Sequence, residues 1–388
     1  MLVLMKVTPF TPFSRRRFLA TSALGAAGLS LGLQAAPGDL LPRGRKLGVA
    51  LVGMGSYAGG QLAPALLETE LCELRGVVTG DPKGKGRRYA ADHGFSEKSI
   101  YSYETMHRIA DNAEIDIIYV VTPPGLHKRD VLVAAAAGKH VICEKPMAGT
   151  VADCDEMIAG CDRAGVRFSI GYRLHFHPYH QRVLEIAANR EWGGAPAMTG
   201  GFAYRMGGRR TWRMDKKLGG GGQLMNVGIY VIQSALMAKG EIMPTTITAH
   251  EDPKNRPELF NEVEDTMRFQ LDWADGSRLE GVSSGDFGQN DFIATALDRK
   301  IEIGPAFSYG GLRMTEDGRA FEPINRFNQQ AHQMDGFAAA ILQDEPSTVP
   351  AAMGRRDIVI TSAIYESAAS GKPVNLSVPT NGLSVGMR

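Results

Sequence analysis

Leu47-Gly48-Val49-Ala50-Leu51-Val52-Gly53-Met54-Gly55-Ser56-Tyr57-Ala58 is the stretch whose reading decides the fold. Its first six residues form an unbroken apolar run, suited to a strand covered on both faces. The run ends in G-x-G-x-x-A and leads through Gly59-Gly60 into an apolar, helix-like segment over 61–67. In that strand–turn–helix setting the first Gly makes the turn and the second lets backbone approach a pyrophosphate. The small Ala58 lets helix and strand pack closely. Free N–H groups at the helix start then hold phosphate. The predicted ligand is a dinucleotide bound around Gly53, Gly55, Ser56, Tyr57 and Ala58.

The next strand, over 74–78, ends in Thr79-Gly80-Asp81-Pro82, with Lys83, Lys85, Arg87 and Arg88 just beyond. An NAD site usually ends this strand in an acid that binds the ribose 2′-hydroxyl. Here Thr79 is neutral and cations follow, which favours a 2′-phosphate, hence NADP held by Thr79, Gly80, Lys83 and Lys85. The competing reading makes Asp81 the ribose acid and the cations a solvated face. A carboxylate beside a 2′-phosphate would repel it. A further strand over 115–121 ends at Thr122-Pro123-Pro124, a helix over 128–137 stops at Gly138, and His140–Cys143 delivers Glu144-Lys145-Pro146. In an open parallel sheet these strand ends face the ligand together. Thr122, Pro123, Pro124, His127, Glu144 and Lys145 are therefore cofactor-side candidates.

The chain has 388 residues, room for two domains, with 43 Lys+Arg against 42 Asp+Glu. A net charge of +1 gives no field to steer a polyanion, so nucleic acid is excluded as a partner class. Four irregularly spaced cysteines fit buried free thiols rather than a disulfide framework. His175, His177 and His180 have no carboxylate or Cys at ligand spacing, so no metal is expected. Ahead of the strand, Ser14-Arg15-Arg16-Arg17-Phe18-Leu19 is a twin-arginine signature, followed by a weakly apolar 20–33 and small residues at Ala35 and Ala36. This reads as an export signal that carries the folded protein to the periplasm through the twin-arginine machinery, with no stable membrane anchor.

The expected organisation is a signal over 1–36, a short arm over 37–46, a Rossmann domain over 47–170 and a second domain over 171–388. The C-terminal helix is expected to pack back on the first domain. Strand-like segments at 196–204, 245–249, 266–271, 277–283, 291–296 and 300–303 predict an open, mainly antiparallel sheet in an α+β substrate-binding domain. The fold class is α/β. A broad free sheet face invites a homodimer, and an arm of about ten residues, at roughly 3.5 Å each, is too short to reach far across a partner.

From Lys46 onward the chain resembles the glucose–fructose oxidoreductase/inositol dehydrogenase family. The resemblance rests on Glu144-Lys145-Pro146, the Thr-Pro-Pro…His127 loop, Gly171-Tyr172-Arg173, Trp212-Arg213 and the run Gly219 through Tyr230. It also rests on Val263-Glu264-Asp265 and Gln333-Met334-Asp335-Gly336. Within the family it is most similar to exported sugar–sugar oxidoreductases. Many members carry Asp and His where this chain has Asn226 and Tyr230.

The resemblance implies tightly bound NADP, an aldose donor oxidised to its lactone and a second sugar, aldose or ketose, reduced to an alditol. Lys145 suits fixing the reacting oxygen, and Tyr230 suits proton transfer, its phenolate favoured by a neighbouring ammonium. Taken alone these are a lysine after a strand and a tyrosine in a helix; the surrounding motifs carry the assignment. Arg173, His175, Asn226 and Tyr309 are the sugar-side candidates, and Trp212 and Arg213, with Arg173, the cofactor-side ones. Two other readings stay open: an exported NAD-dependent glycosidase of the same family, and a non-enzymatic cofactor-binding sensor.

Overall fold

In the computed structural model, which describes residues 45–376 apart from 323 and 325, two sheets share the chain. The twin-arginine signature and its cleavage region lie outside the described residues. The first sheet is six-stranded and parallel, in the order β3-β2-β1-β4-β5-β6, with β1 Leu47–Val52, β2 Cys72–Val78, β3 Ile100–Tyr101, β4 Ile117–Val120, β5 His140–Cys143 and β6 Phe168–Ile170. All six residues of β1 are buried, as its unbroken apolar run requires. From β1 the chain moves first to β2 on one side and later to β4 on the other. That reversal of direction opens a crevice at the carboxyl ends of β1 and β4.

The helix expected over 128–137 instead spans Pro124–Ala136, starting at the strand end itself. Pro124 fits a helical first turn, where its missing N–H costs nothing. Gly125 beside it permits a close backbone contact with the second domain: a Cβ there would lie 2.0 Å from the Lys217 carbonyl oxygen.

The second sheet has nine strands in the order β14-β13-β12-β11-β7-β10-β9-β8-β15. Its central members are β7 Ala197–Ala203, β8 Thr246–Glu251, β9 Thr266–Asp272, β10 Arg278–Ser284 and β11 Gln289–Thr295. β7 and β10 pair in parallel, and their other pairings are antiparallel. β12 Lys300–Ile303 extends the sheet, and three short strands missed by sequence reading, β13 Met314–Glu316, β14 Arg319–Ala320 and β15 Val374–Asn375, finish its edges. One face is covered by Ile229–Ala238, a helix buried along its whole length, and by Ala351–Ser370. The other shows exposed polar side chains such as Thr199, Arg268 and Glu280.

Helix Gln329–Leu342 returns to the first sheet. Met334, Phe337 and Ala338 join the apolar cluster of Leu51, Leu62 and Val77, and the Asp335 carboxylate accepts from the Glu70 and Leu71 amides at 2.9 and 2.8 Å. The two sheets thus share packing and cannot drift apart without exposing apolar surface.

Gly125→Ala is expected to cost about 2–3 kcal/mol, because the new methyl meets backbone rather than a side chain that could rotate away. Urea unfolding of the variant measures it.

Candidate active site

The glycine turn sits at the carboxyl end of β1. Gly53 has φ +96, a conformation that favours glycine, and its amide donates to the Val78 carbonyl at 3.0 Å. A Cβ on Gly55 would meet nothing within 4 Å, so the exposed Gly55–Ser56 backbone faces open space of the kind a phosphate needs. Ala58 is fully buried against the sheet. Tyr57 swings the other way, its ring 5.8 Å from that of Tyr309.

At the end of β2, Thr79 is buried and its hydroxyl accepts from the Asp81 amide at 3.1 Å. Asp81 caps the following turn, accepting from the Gly84 and Lys85 amides at 2.9 and 3.0 Å. Those bonds hold its carboxyl below the usual range and commit both oxygens locally. Gly80, Lys83 and Lys85 are exposed beside it, and the Lys85 ammonium lies 3.5 Å from the Met54 carbonyl, over the glycine turn.

Between the two sheets lies a cleft of about 490 Å³. Lys145, delivered by β5, donates to the Asn226 carbonyl at 2.8 Å, and its ammonium stands 4.5 Å from the centre of the Tyr230 ring. The Arg173 guanidinium stands 4.7 Å from the same ring and 4.8 Å from that of Tyr309. Arg173 is 1% exposed yet pairs with no carboxylate among the described residues; it donates to Gln329 Oε1 at 2.6 Å, to the Phe307 and Ser308 carbonyls at 2.5 and 3.2 Å, and to the Tyr230 hydroxyl at 3.4 Å. Burial alone would raise the Tyr230 pKa, but Arg173 and then Lys145 outweigh it, and the phenol is held below its usual value. Phe202 and Phe307 pack against Tyr230 from the sheet side.

Asn226 and Tyr230 share one helix face, four residues apart. Asn226 Oδ1 accepts from Arg213 Nε at 3.2 Å, while Nδ2 donates to the Tyr204 hydroxyl at 2.9 Å and to Gln223 Oε1 at 3.1 Å. Trp212 lines the same wall, with the Arg213 guanidinium 4.3 Å from its ring centre. The start of this helical segment is fastened by Glu264, whose carboxylate accepts from the Gly222 amide at 3.0 Å, the Leu224 amide at 2.9 Å and the Tyr365 hydroxyl at 2.9 Å. Gly222 must be glycine, since a Cβ would lie 2.1 Å from the Glu264 carbonyl oxygen.

Some expected residues do not reach the cleft. His175 turns into the second domain, where Nε2 lies 3.0 Å from Glu241 Oε1, and Glu241 in turn pairs with Arg356. Arg173 and His175 are two apart on the short helical turn Arg173–Phe176, which points them to different sides. His127 is buried as a staple, Nε2 2.7 Å from the Thr122 carbonyl and Nδ1 3.1 and 3.2 Å from those of Pro146 and Met147. Glu144 lies at the cleft floor with its carboxylate turned to the Tyr119 hydroxyl at 2.7 Å. Thr122 and Pro124 line the cleft, with the Thr122 hydroxyl donating to Asp130 at 2.7 Å, and Pro123 precedes the helix. Tyr204, Phe202, Phe307 and Gln329 complete the site without any local sequence signal for their roles, and Glu264 was marked only as part of the Val263-Glu264-Asp265 motif.

Residues 47–172 match the family described as oxidoreductase family, NAD-binding Rossmann fold, and residues 180–303 match the GFO/IDH/MocA C-terminal domain. The chain belongs to this family of oxidoreductases. Among solved structures it is similar to aldose-aldose oxidoreductase from Caulobacter crescentus, crystallised with glycerol, at 36% identity and a TM-score of 0.82 over 86% of this chain and 100% of that one. It is 27% identical to the D-xylose 1-dehydrogenase [NADP(+)] of Haloarcula marismortui over 84% of this chain and 92% of the relative. Levoglucosan dehydrogenase, at 19% identity and a TM-score of 0.74, shares the fold.

Burial raises the Glu264 carboxyl to about 7 from an ordinary 4.5. The folded state therefore holds this proton more tightly than the unfolded chain does. Glu264 contributes its full stability below about pH 4.5 and loses about 3 kcal/mol as pH rises through 7. Glu264→Gln is expected to flatten that part of the fall in stability between pH 5 and 7.5, measured by urea unfolding at both values.

Proposed function

We propose that this protein is an oxidoreductase that keeps NADP bound, oxidises an aldose to its lactone and then reduces a second sugar to an alditol. The observation that carries the reading is Tyr230 standing between the Lys145 and Arg173 cations, in a cleft whose wall includes Tyr57 from the end of the glycine turn. When bound, the nicotinamide supplies the hydride acceptor. Lys145 is placed to orient the reacting sugar oxygen and to stabilise negative charge on it. The Tyr230 phenolate accepts the hydroxyl proton in oxidation and, as the phenol, returns one in reduction. Arg173, with its donors spent on protein acceptors, keeps that phenol acidic.

The residues placed to hold the cofactor are Gly53, Gly55 and Ser56 at the diphosphate and Thr79, Lys83 and Lys85 at the ribose. The commitment of Asp81 to its own turn supports NADP over NAD. The structural similarity to an aldose-aldose oxidoreductase and the sequence similarity to an NADP-dependent D-xylose dehydrogenase support a sugar substrate. The twin-arginine signature supports export to the periplasm, where retention of cofactor is useful because none can be exchanged. The uncovered face of the nine-stranded sheet supports a homodimer.

Mass analysis of nucleotide released by denaturing the purified protein is expected to find NADP. Addition of an aldose to the native protein is expected to give the absorbance of reduced nicotinamide. Lys145→Ala should slow that reduction by about 10²–10³-fold while retaining the nucleotide. Release of NAD, or of nothing, contradicts the cofactor reading.

A further inference from the structure

Asn226 is bonded on every side, and the direction of those bonds determines what its neighbours can offer a ligand. Arg213 can only donate, which fixes Oδ1 toward it and Nδ2 toward Tyr204 and Gln223. The Tyr204 oxygen therefore receives a hydrogen bond, and its own O–H is left to donate elsewhere. Tyr204 is 39% exposed and lines the cleft, so that hydrogen is available to a bound molecule. Arg213 forms no ion pair among the described residues, and only its Nε is bonded, so its terminal nitrogens remain as a fork at the same wall. Of the side chains lining the cleft, Lys145, Arg173 and Arg213 are cationic, whereas Glu144 is the one carboxylate and faces Tyr119.

An aspartate at position 226 would reverse this arrangement. Its carboxylate would take the Tyr204 hydrogen for itself and neutralise Arg213 by a direct ion pair. The amide keeps the mouth of the cleft donor-rich and positive. We propose that Asn226, Tyr204 and Arg213 form a specificity subsite for a sugar bearing a carboxylate away from the reacting carbon, a uronic acid rather than its neutral parent aldose. Asn226 acts here as a positioning residue, and Tyr204 and Arg213 are the groups that touch the ligand. This rests on the sugar reading above and adds the charge of the substrate.

The test compares D-glucuronate with D-glucose on the intact protein, by calorimetry and by Trp212 fluorescence at the cleft wall. The wild type is expected to bind the uronate about tenfold more tightly, the scale of one well-placed charged hydrogen bond. Asn226→Asp is expected to abolish or invert that ratio, and Tyr204→Phe to lower uronate affinity more than glucose affinity, narrowing the ratio. Both variants should keep their bound nucleotide, which shows that the fold and the cofactor site are intact. Equal binding of the two sugars by the wild type, or an unchanged ratio in Asn226→Asp, overturns the proposal while leaving the sugar reading standing. Binding of neither sugar overturns both, and loss of nucleotide in the variants assigns Asn226 and Tyr204 to the cofactor site and overturns the subsite.

Discussion

The site depends on one hydrogen bond between its two halves, from the Lys145 ammonium to the Asn226 carbonyl. Lys145 belongs to the end of a strand in the parallel sheet, and Asn226 to the helical segment that covers the second sheet. Their bond places a cation over Tyr230, which no element of the first sheet alone could do. Arg173 completes the arrangement from the turn after β6; it forms no ion pair among the described residues, and its charge acts on the phenol more strongly than that of Lys145. A buried guanidinium without a counter-ion is costly unless its N–H groups are satisfied. Here Gln329 and two carbonyls satisfy them, and the phenol gains the benefit of the charge.

Supporting elements hold this pairing in register. Glu264 fastens the helical segment at its start through backbone amides, and its raised pKa shows what burying that carboxyl costs. His127 ties the loops after β4 and β5 together through three carbonyls, on one side of the crevice. His175, Glu241 and Arg356 form a separate buried cluster beneath Arg173, fixing the turn from which it projects. Helix Gln329–Leu342 contributes Gln329 to Arg173 and its apolar face to the first sheet, so the same element packs the domains together and finishes the site.

The first sheet was legible because its signals are local: buried strands are continuous apolar runs, and the glycine turn and Lys145 follow them directly in the chain. The mainly antiparallel second sheet was legible strand by strand, though not its short edges, where two or three residues carry too little pattern. What was not legible depends on distance. Gln329 lies 156 residues from Arg173, and Glu264 lies 40 from Leu224. His175 was misplaced because closeness in sequence to Arg173 conceals the rotation of a helical turn. Glu241 was missed as its partner for the same reason of separation. The hydrogen-bond polarity at Asn226 needs three partners in space and leaves no trace in the linear pattern.

The central claim, that two cations make Tyr230 the group that exchanges the sugar proton, is tested most directly by the pH dependence of sugar-driven reduction of the bound nucleotide. Rapid-mixing measurements of the wild type and Arg173→Met provide it. The account predicts a wild-type acid limb below the ordinary tyrosine value of about 10 and a clear upward shift when the Arg173 charge is removed. A limb that stays in place in Arg173→Met, or that persists in Tyr230→Phe, contradicts it.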